Sequence, residues 1–354
     1  MQPTLPLEHD FSLLKFNTFG IDAVADAYLA VTDPAMLRQV RLDSRLMALP
    51  RLILGGGSNL VLTRDFPGLV LHMANKGIEI VGQTEHVISV RAAAGESWHG
   101  LVQWTLAHGF GGLENLSLIP GSVGASPIQN IGAYGVEAGS LIETVRYYDF
   151  EADVVVTLDR AECLLGYRDS VFKHRLRERA VIIDVTFGLP VDWHAQVNYG
   201  ELQRELQAMQ QRMSQESPLS QSNAMLTPVL VSNAIIAIRS RKLPNPERIG
   251  NAGSFFKNPL VSASQRQRLM VHWPALVSFE QAEGSYKLAA GWLIDQCGWK
   301  GQSIGAAGVY DKQALVLINR GNATGKDIMR LANAIQQDVL RRFGVTLELE
   351  PIII

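Results

Sequence analysis

The sequence predicts an α+β protein of two or three domains, and three observations carry that prediction. Apolar runs of strand length recur between turn residues, at Leu52–Leu54, Val70–Met73, Val87–Val90, Thr144–Tyr148, Val154–Leu158 and Val181–Phe187. Capped stretches with apolar residues at helical spacing lie among them. The 354 residues, 47% of them hydrophobic and 19% charged, hold enough apolar side chain for more than one core.

Charge and composition exclude several classes. A formal net charge of -2 lacks the basic footprint of a nucleic-acid or membrane-surface protein. The start, MQPTLPLEHDF, has no positive region followed by an apolar run, so no secretion signal is expected. No stretch approaches the ~18 consecutive apolar residues of a membrane-spanning helix. Cys163 and Cys297 are isolated, which fits small core residues in a reducing cytoplasm. The eight histidines form no HxH or HExxH pair, and no metal is expected.

In chain order, the Leu52–Leu54 strand runs straight into Gly55-Gly56-Gly57-Ser58-Asn59-Leu60. This is not the dinucleotide fingerprint, because Leu60 holds the place of its last glycine. Val61-Leu62 then leads to Asp65-Phe66-Pro67-Gly68, read as a turn, where that fingerprint needs a helix. The stretch reads either as a phosphate-type glycine loop or as a hairpin turn. Ser97 is placed to cap a helix carrying Trp98, Leu101, Val102 and Leu106 on one face, closed by Gly109.

Ile119–Gly135, IPGSVGASPIQNIGAYG, follows and organises the chain. Its glycines allow close approach of backbone to a ligand, and a concave run of N–H groups binds anions. Yet it is apolar, with Leu118, Ile119, Val123, Ile128 and Ile131. A buried irregular loop must satisfy its backbone groups somewhere, and a bound cofactor would do so. Gly166–Ser170 next sets Arg168 beside Tyr167 at a strand edge, whereas Arg175–Arg179 reads as a solvated face.

From Glu201 to about Ser222 the composition turns to Gln, Ser and Glu, an exposed helix and linker where a domain boundary is placed. Thr227-Pro228 opens a helix with Val231, Ala234, Ile235 and Ile238 on its apolar face. Arg239, Arg241 and Lys242 fill its last turn, where cations suit the dipole. A second glycine loop, Gly250–Pro259, follows, and then a capped helix is expected over Ser285–Gln296. Gly321–Lys326 has three residues between glycines where a phosphate loop needs four, and Asp327 where Ser or Thr must bind magnesium. A capping box, Thr324 to Asp327, opening a helix with Ile328, Leu331, Ile335 and Val339 inward and Gly344 after it, fits better. Val345–Ile354 is read as a closing strand.

Six segments in this order, NTFGID, LILGGGSN, LENLSLIPGSVGASPIQNIGAYG, GYRDSVFK, GNAGSFFKNP and KLAAGWLIDQCG, resemble the UDP-N-acetylenolpyruvoylglucosamine reductase family, across nearly the whole chain. The resemblance implies a fold of the vanillyl-alcohol oxidase type. FAD-binding subdomains would occupy 1-78 and 79-222, with an α/β substrate-binding domain over 227-344 and the 345-354 strand near the active site. It implies a cytoplasmic, monomeric enzyme of peptidoglycan precursor synthesis with non-covalent FAD. NADPH and the enolpyruvyl UDP-sugar would take turns at the flavin.

Carried over residue by residue, the resemblance gives FAD Gly55, Gly56, Gly57, Ser58 and Asn59 from one loop. From the organising loop it gives Pro120, Gly121, Gly124, Asn130, Ile131, Gly132 and Tyr134, with Tyr167 and Arg239 as further contacts. SPIQN and Tyr199-Gly200 resemble the subclass with a tyrosine loop over the substrate, in which Tyr199, Lys242, Asn258 and Gln313 would bind the sugar nucleotide. Arg168, Ser254 and Glu350 would be catalytic. By the residues alone, Ser254 reads as a loop hydrogen bond and Glu350 as the outward residue of an edge strand. Phe279 stands where members carry a second tyrosine, and Pro351-Ile352 where they carry Val-Arg, which bears on one flavin-side contact and on the last strand's anchoring. The alternative reading is an FAD oxidase on the same fold; such enzymes often attach flavin through His, and LILGGGSN has none.

Overall fold

A computed structural model describes residues 4–216, 226–281 and 284–354, so part of the expected linker, with the boundary near Ser222, lies outside them. The chain forms two compact units, neither of them one continuous segment. The first comprises Met1–Phe11, Ala25–Gly56 and Pro67–Arg241; the second comprises Ser12–Val24, Gly57–Phe66 and Lys242–Ile354.

Two sheets build the first unit. One has four strands in the order Glu8–Ser12, Val24–Val31, Phe66–Met73 and Arg51–Leu54, the last pair parallel with Leu52 opposite Val70. The other is antiparallel, in the order Val154–Asp159, Ile142–Asp149, Ala180–Pro190, Val87–Ala93 and Ile78–Gln83. Its central strand is buried from Val181 to Phe187, as a strand covered on both faces must be. Leu29, Leu69, Leu71, Val90, Val145 and Phe187 share one core with the Trp98–Ala107 helix, whose cap is the expected Ser97 hydroxyl accepting from Gly100 N.

The Gly200–Glu216 and Pro228–Lys242 helices make a satellite core in this unit. Leu202 and Leu206 meet Val231, Ala234, Ile235 and Ile238, with Tyr134 and Trp193 packed against them. That packing keeps the chain in the first unit to Arg241.

The second unit holds an antiparallel sheet in the order Gly250–Ser254, Val316–Asn319, Ala307–Val309 and Ser303–Ile304, backed by the Gly325–Phe343 helix. That helix has the expected capping box, with Ile328, Leu331, Ile335 and Val339 fully buried and Gly344 closing it at φ 63°. Among the described residues, no helix is long and apolar enough to cross a membrane.

Three expectations need correction. Phe66–Gly68 is not a turn but the start of the Phe66–Met73 strand. Ser285–Leu288 is a strand, paired on both sides with Leu260–Ser262 and Ser278–Glu280, and only Ala290–Gln296 is helical. Cross-strand pairing of Tyr286 with Val261 and Glu280 overrides the local helical spacing there. The closing strand shrinks to Ile352–Ile353, parallel to Leu60–Val61; before it, only Leu349 bridges, to Phe256. Pro351 does not loosen that end, since Ile352 N donates to Asn59 O at 3.0 Å and Ile354 N to Val61 O at 3.0 Å.

Candidate active site

Backbone conformation shapes the candidate residues of the first unit. Gly132–Ala133 and Val136–Glu137 form a hairpin whose two central residues, Tyr134 (φ 49°) and Gly135 (φ 85°), are both left-handed. A two-residue hairpin of type I′ requires that, and Gly135 meets it without strain. Tyr134 is a bulky residue in a costly region, held there by its packing on the Gly200–Glu216 and Pro228–Lys242 helices. Its ring meets Tyr199 edge-on at 5.4 Å, and its hydroxyl accepts from Arg239. Burial pushes the Tyr134 hydroxyl up to about 12, with the Arg239 charge opposing, so it stays protonated at neutral pH.

The same helix brackets the loop at its other end. Ser232 and Ser117 hydroxyls meet at 2.8 Å, and Leu118 N, at φ 59°, donates to His99 Nδ1 at 3.0 Å. Burial first, and then the Arg239 charge, hold His99 below its ordinary pKa, which keeps the imidazole an acceptor. Arg239 is thus more than a helix-end cation, and Arg241 differs from it by reaching outward to Glu205 at 2.6 Å.

Arg168 occupies a tight turn in which Gly166 and Asp169 bond reciprocally, at 3.0 and 3.3 Å. Its φ is 55°, and its guanidinium lies 5.5 Å over the Tyr167 ring. Nη2 donates to Gly132 O at 2.9 Å and Nη1 to Asn130 O at 3.4 Å. The structure therefore joins Tyr167 and Arg168 to the Asn130–Tyr134 segment, a union that sequence separation concealed.

Ser254 and Glu350 come together in the second unit. In the Gly250–Ser254 strand, Asn251 pairs with Ile318 and Ser254 with Val316, so one extra residue bulges between them. Gly253 takes the bulge at φ 68°, its N–H donating to Asn251 Oδ1 at 2.9 Å. A bulge re-aims the side chain beyond it, and here it leaves Ser254 exposed while Phe255 and Phe256 are buried. Phe255 O accepts from Glu350 N at 3.0 Å, and Glu350 O accepts from Asn59 Nδ2 at 3.1 Å. Asn59 is thereby part of the frame that fixes the Glu350 backbone.

The substrate candidates of this unit converge on the Ala290–Gln296 helix. Asn258 Oδ1 accepts from Ala290 N at 2.9 Å, and Gln313 Oε1 lies 3.1 Å from where a Cβ on Gly291 would sit. Lys242 is half-buried at the end of the Pro228–Lys242 helix, and Tyr199 is exposed beside Tyr134 in the first unit. Phe279 is exposed on the Ser278–Glu280 strand. Sequence reasoning passed over His99, Asn115 and Glu137. Asn115 is fully buried and donates to Tyr134 O at 3.0 Å and Gln196 O at 2.8 Å.

Known proteins share this fold. A family model described as an FAD binding domain matches residues 25–153, and one for the C-terminal domain of UDP-N-acetylenolpyruvoylglucosamine reductase matches 245–354. The reductase of Paraburkholderia phymatum is 49% identical over 349 residues, 99% of this chain and 98% of that protein. The Ralstonia nicotianae reductase is 51% identical over 351 residues, 98% and 99% of the two chains. The crystal structure of the Thermus caldophilus enzyme shares the fold, with a TM-score of 0.66 at 22% identity, covering 99% of this chain and 98% of that one. Fold and domain composition define an FAD-dependent oxidoreductase with a flavin domain of the vanillyl-alcohol oxidase type. Within that class, the chain belongs to the UDP-N-acetylenolpyruvoylglucosamine reductase family.

The first unit fits FAD. Arg239 Nε is buried with no hydrogen-bond partner, an orphaned donor that a carbonyl or phosphate oxygen would satisfy. The glycine loops pack closely: a Cβ on Gly56 would lie 2.8 Å from Gly121 Cα, and one on Gly55 would lie 2.3 Å from the Ser122 hydroxyl oxygen. Such loops present peptide groups, rather than side chains, to a ligand.

Proposed function

We infer that the chain carries out the NADPH-dependent reduction of UDP-N-acetylenolpyruvoylglucosamine to UDP-N-acetylmuramate, in peptidoglycan precursor synthesis. The observation that carries the residue assignment is the bulge at Gly253, which turns Ser254 outward beside the fastened Glu350. FAD, when bound, supplies the hydride that NADPH has delivered to it. Gly55, Gly56, Gly57, Ser58, Asn59, Pro120, Gly121, Gly124, Asn130, Ile131, Gly132, Tyr134, Tyr167 and Arg239 would hold it.

The substrate is a vinyl ether conjugated to a carboxylate, and hydride at its β-carbon leaves an enolate spread onto that carboxylate. Charge developing there needs donors, and one well-placed donor contributes about 3–4 kcal/mol. Arg168 offers a permanent cation in a planar fork, and a protonated Glu350 a second donor. Ser254 then gives its hydroxyl proton to the α-carbon. Tyr199, Lys242, Asn258 and Gln313 bind the sugar nucleotide, Tyr199 as the loop tyrosine of its subclass. The enzyme works as a cytoplasmic monomer.

Stopped-flow kinetics test the assignment. Ser254→Ala should take up FAD and be reduced by NADPH at an unchanged rate. Reoxidation of its flavin by the enolpyruvyl substrate should slow by on the order of 10²–10⁴-fold, the usual contribution of a general acid. Reoxidation at the wild-type rate would remove Ser254 as the acid.

A further inference from the structure

We propose that Glu137 is a positioning residue for Arg168, acting through Asn130. The proposal rests on Arg168 being the cation that stabilises the enolate. Glu137 stands opposite Gly132 in the Tyr134-Gly135 hairpin, and its Oε2 accepts from Asn130 Nδ2 at 2.8 Å. The same Nδ2 group donates to Gly166 O at 3.0 Å, and Asn130 Oδ1 accepts from Gly139 N at 2.8 Å. This amide is saturated: both N–H bonds and its oxygen are committed, and the partners fix which way it faces.

The connections close a ring. Asn130 holds Gly166, the first residue of the turn that carries Arg168. Arg168 returns two N–H bonds to the carbonyls of Gly132 and Asn130. Gly132 leads through the hairpin register back to Glu137. Asn130 is 2% exposed at φ 42°, so backbone and side chain are both specified. A carboxylate is the strongest acceptor available for the amide, and it takes one of the two N–H bonds of Nδ2 while Gly166 O takes the other. Without it, Asn130 keeps Gly139 and Gly166 but gains rotational freedom, and the turn that aims the guanidinium follows.

The geometry leaves little choice of residue at this position. Gly132 is needed because a Cβ there would lie 2.9 Å from Glu137 Cγ and 3.3 Å from Arg168 Nη1. Glu137 and Arg168 therefore flank one glycine, each reaching past it. Glutamine can present an acceptor to Asn130 from the same place; alanine cannot.

The test separates this proposal from the reading beneath it. Glu137→Ala should slow flavin reoxidation by enolpyruvyl substrate about 10- to 100-fold, as misplacement of a catalytic group does. Reduction by NADPH and the KM for the sugar nucleotide should be unchanged, and Glu137→Gln should recover most of the rate. In an Arg168→Ala background Glu137→Ala should add nothing, because coupled residues are not additive. Hydrogen exchange of the FAD-loaded Glu137→Ala protein should quicken at Gly139 and across Gly166–Asp169. Should the alanine variant not fold, Glu137→Asp, one methylene short, should slow reoxidation alone. Wild-type reoxidation in Glu137→Ala alongside a slow Arg168→Ala would overturn the proposal and leave the role of Arg168 standing. Wild-type reoxidation in Arg168→Ala would bring down both. Equal slowing of the two half-reactions, unrescued by glutamine, would make Glu137 structural only and end the proposal.

Discussion

Among single residues, Gly253 has the clearest consequence. A Cβ there would meet nothing within 4 Å, so its requirement is conformational and not one of space. Gly253→Ala should cost about 1–2 kcal/mol, the strain of a left-handed L-residue. If the bulge relaxes instead, Ser254 turns and reoxidation slows. Asn tolerates this region better than Ala, so Gly253→Asn should be the more stable of the two by thermal melting. Equal melting temperatures for all three proteins would mean that the bulge does not need its glycine. The sequence showed glycine here but not why, because a bulge is defined by the facing strand, Val316–Asn319, some sixty residues away. Ser97, Thr324 and Gly344 were legible for the opposite reason: their partners lie within four residues.

At the level of elements, the Gly200–Glu216 and Pro228–Lys242 helices pack together behind Tyr134. Glu205, 8% exposed, joins them by accepting from Arg241 at 2.6 Å, and it also meets Arg212 of its own helix at 3.5 Å. The Arg241 hydrogen bond holds the Glu205 carboxyl below its ordinary value, while burial pushes the other way. A carboxyl whose folded pKa is depressed contributes stability above its unfolded pKa, about 4.3, and loses it as pH falls through the folded value. Glu205→Gln should therefore destabilise the protein at pH 7, by on the order of 1 kcal/mol given the exposure of Arg241. The difference from wild type should begin to shrink as pH falls below about 4.3 and vanish only below the folded value. Denaturant melts at pH 7 and down that acid range measure it, and a pH-independent difference would remove the ion pair as its cause.

Helix and strand content was legible where apolar spacing and local caps agreed, as along Gly325–Phe343. It failed at Ser285–Leu288, where two strands distant in sequence claim the segment. Within the site, the glycine loops announced themselves. The links from Arg168 to Gly132 and from Arg239 to Tyr134 did not, since nothing local records a contact made across 36 or more residues.

For the whole molecule, the decisive feature is that the second unit is assembled from three separated segments. Leu60–Val61 pairs with Ile352–Ile353, and a Cβ on Gly325 would lie 2.0 Å from Leu62 O. Phe19, fully buried, meets Phe255 edge-on at 6.1 Å, and Asn251 N donates to Thr18 O at 3.0 Å. A fragment spanning residues 242–354 lacks all of these partners. It should show no cooperative melt by circular dichroism, and a sharp transition would mean that the C-terminal segment is self-sufficient.

That division also orders events at the ribosome. Leu60, Val61 and Leu62 emerge well before the strand and helix that cover them, with Pro67–Arg241 made in between. At about 5–20 residues per second, those 175 residues take roughly 9–35 s to synthesise. Through that interval an apolar triplet and the Phe19 ring wait uncovered on the nascent chain. They are where a holding chaperone would bind, and where crowded polysomes would begin to aggregate.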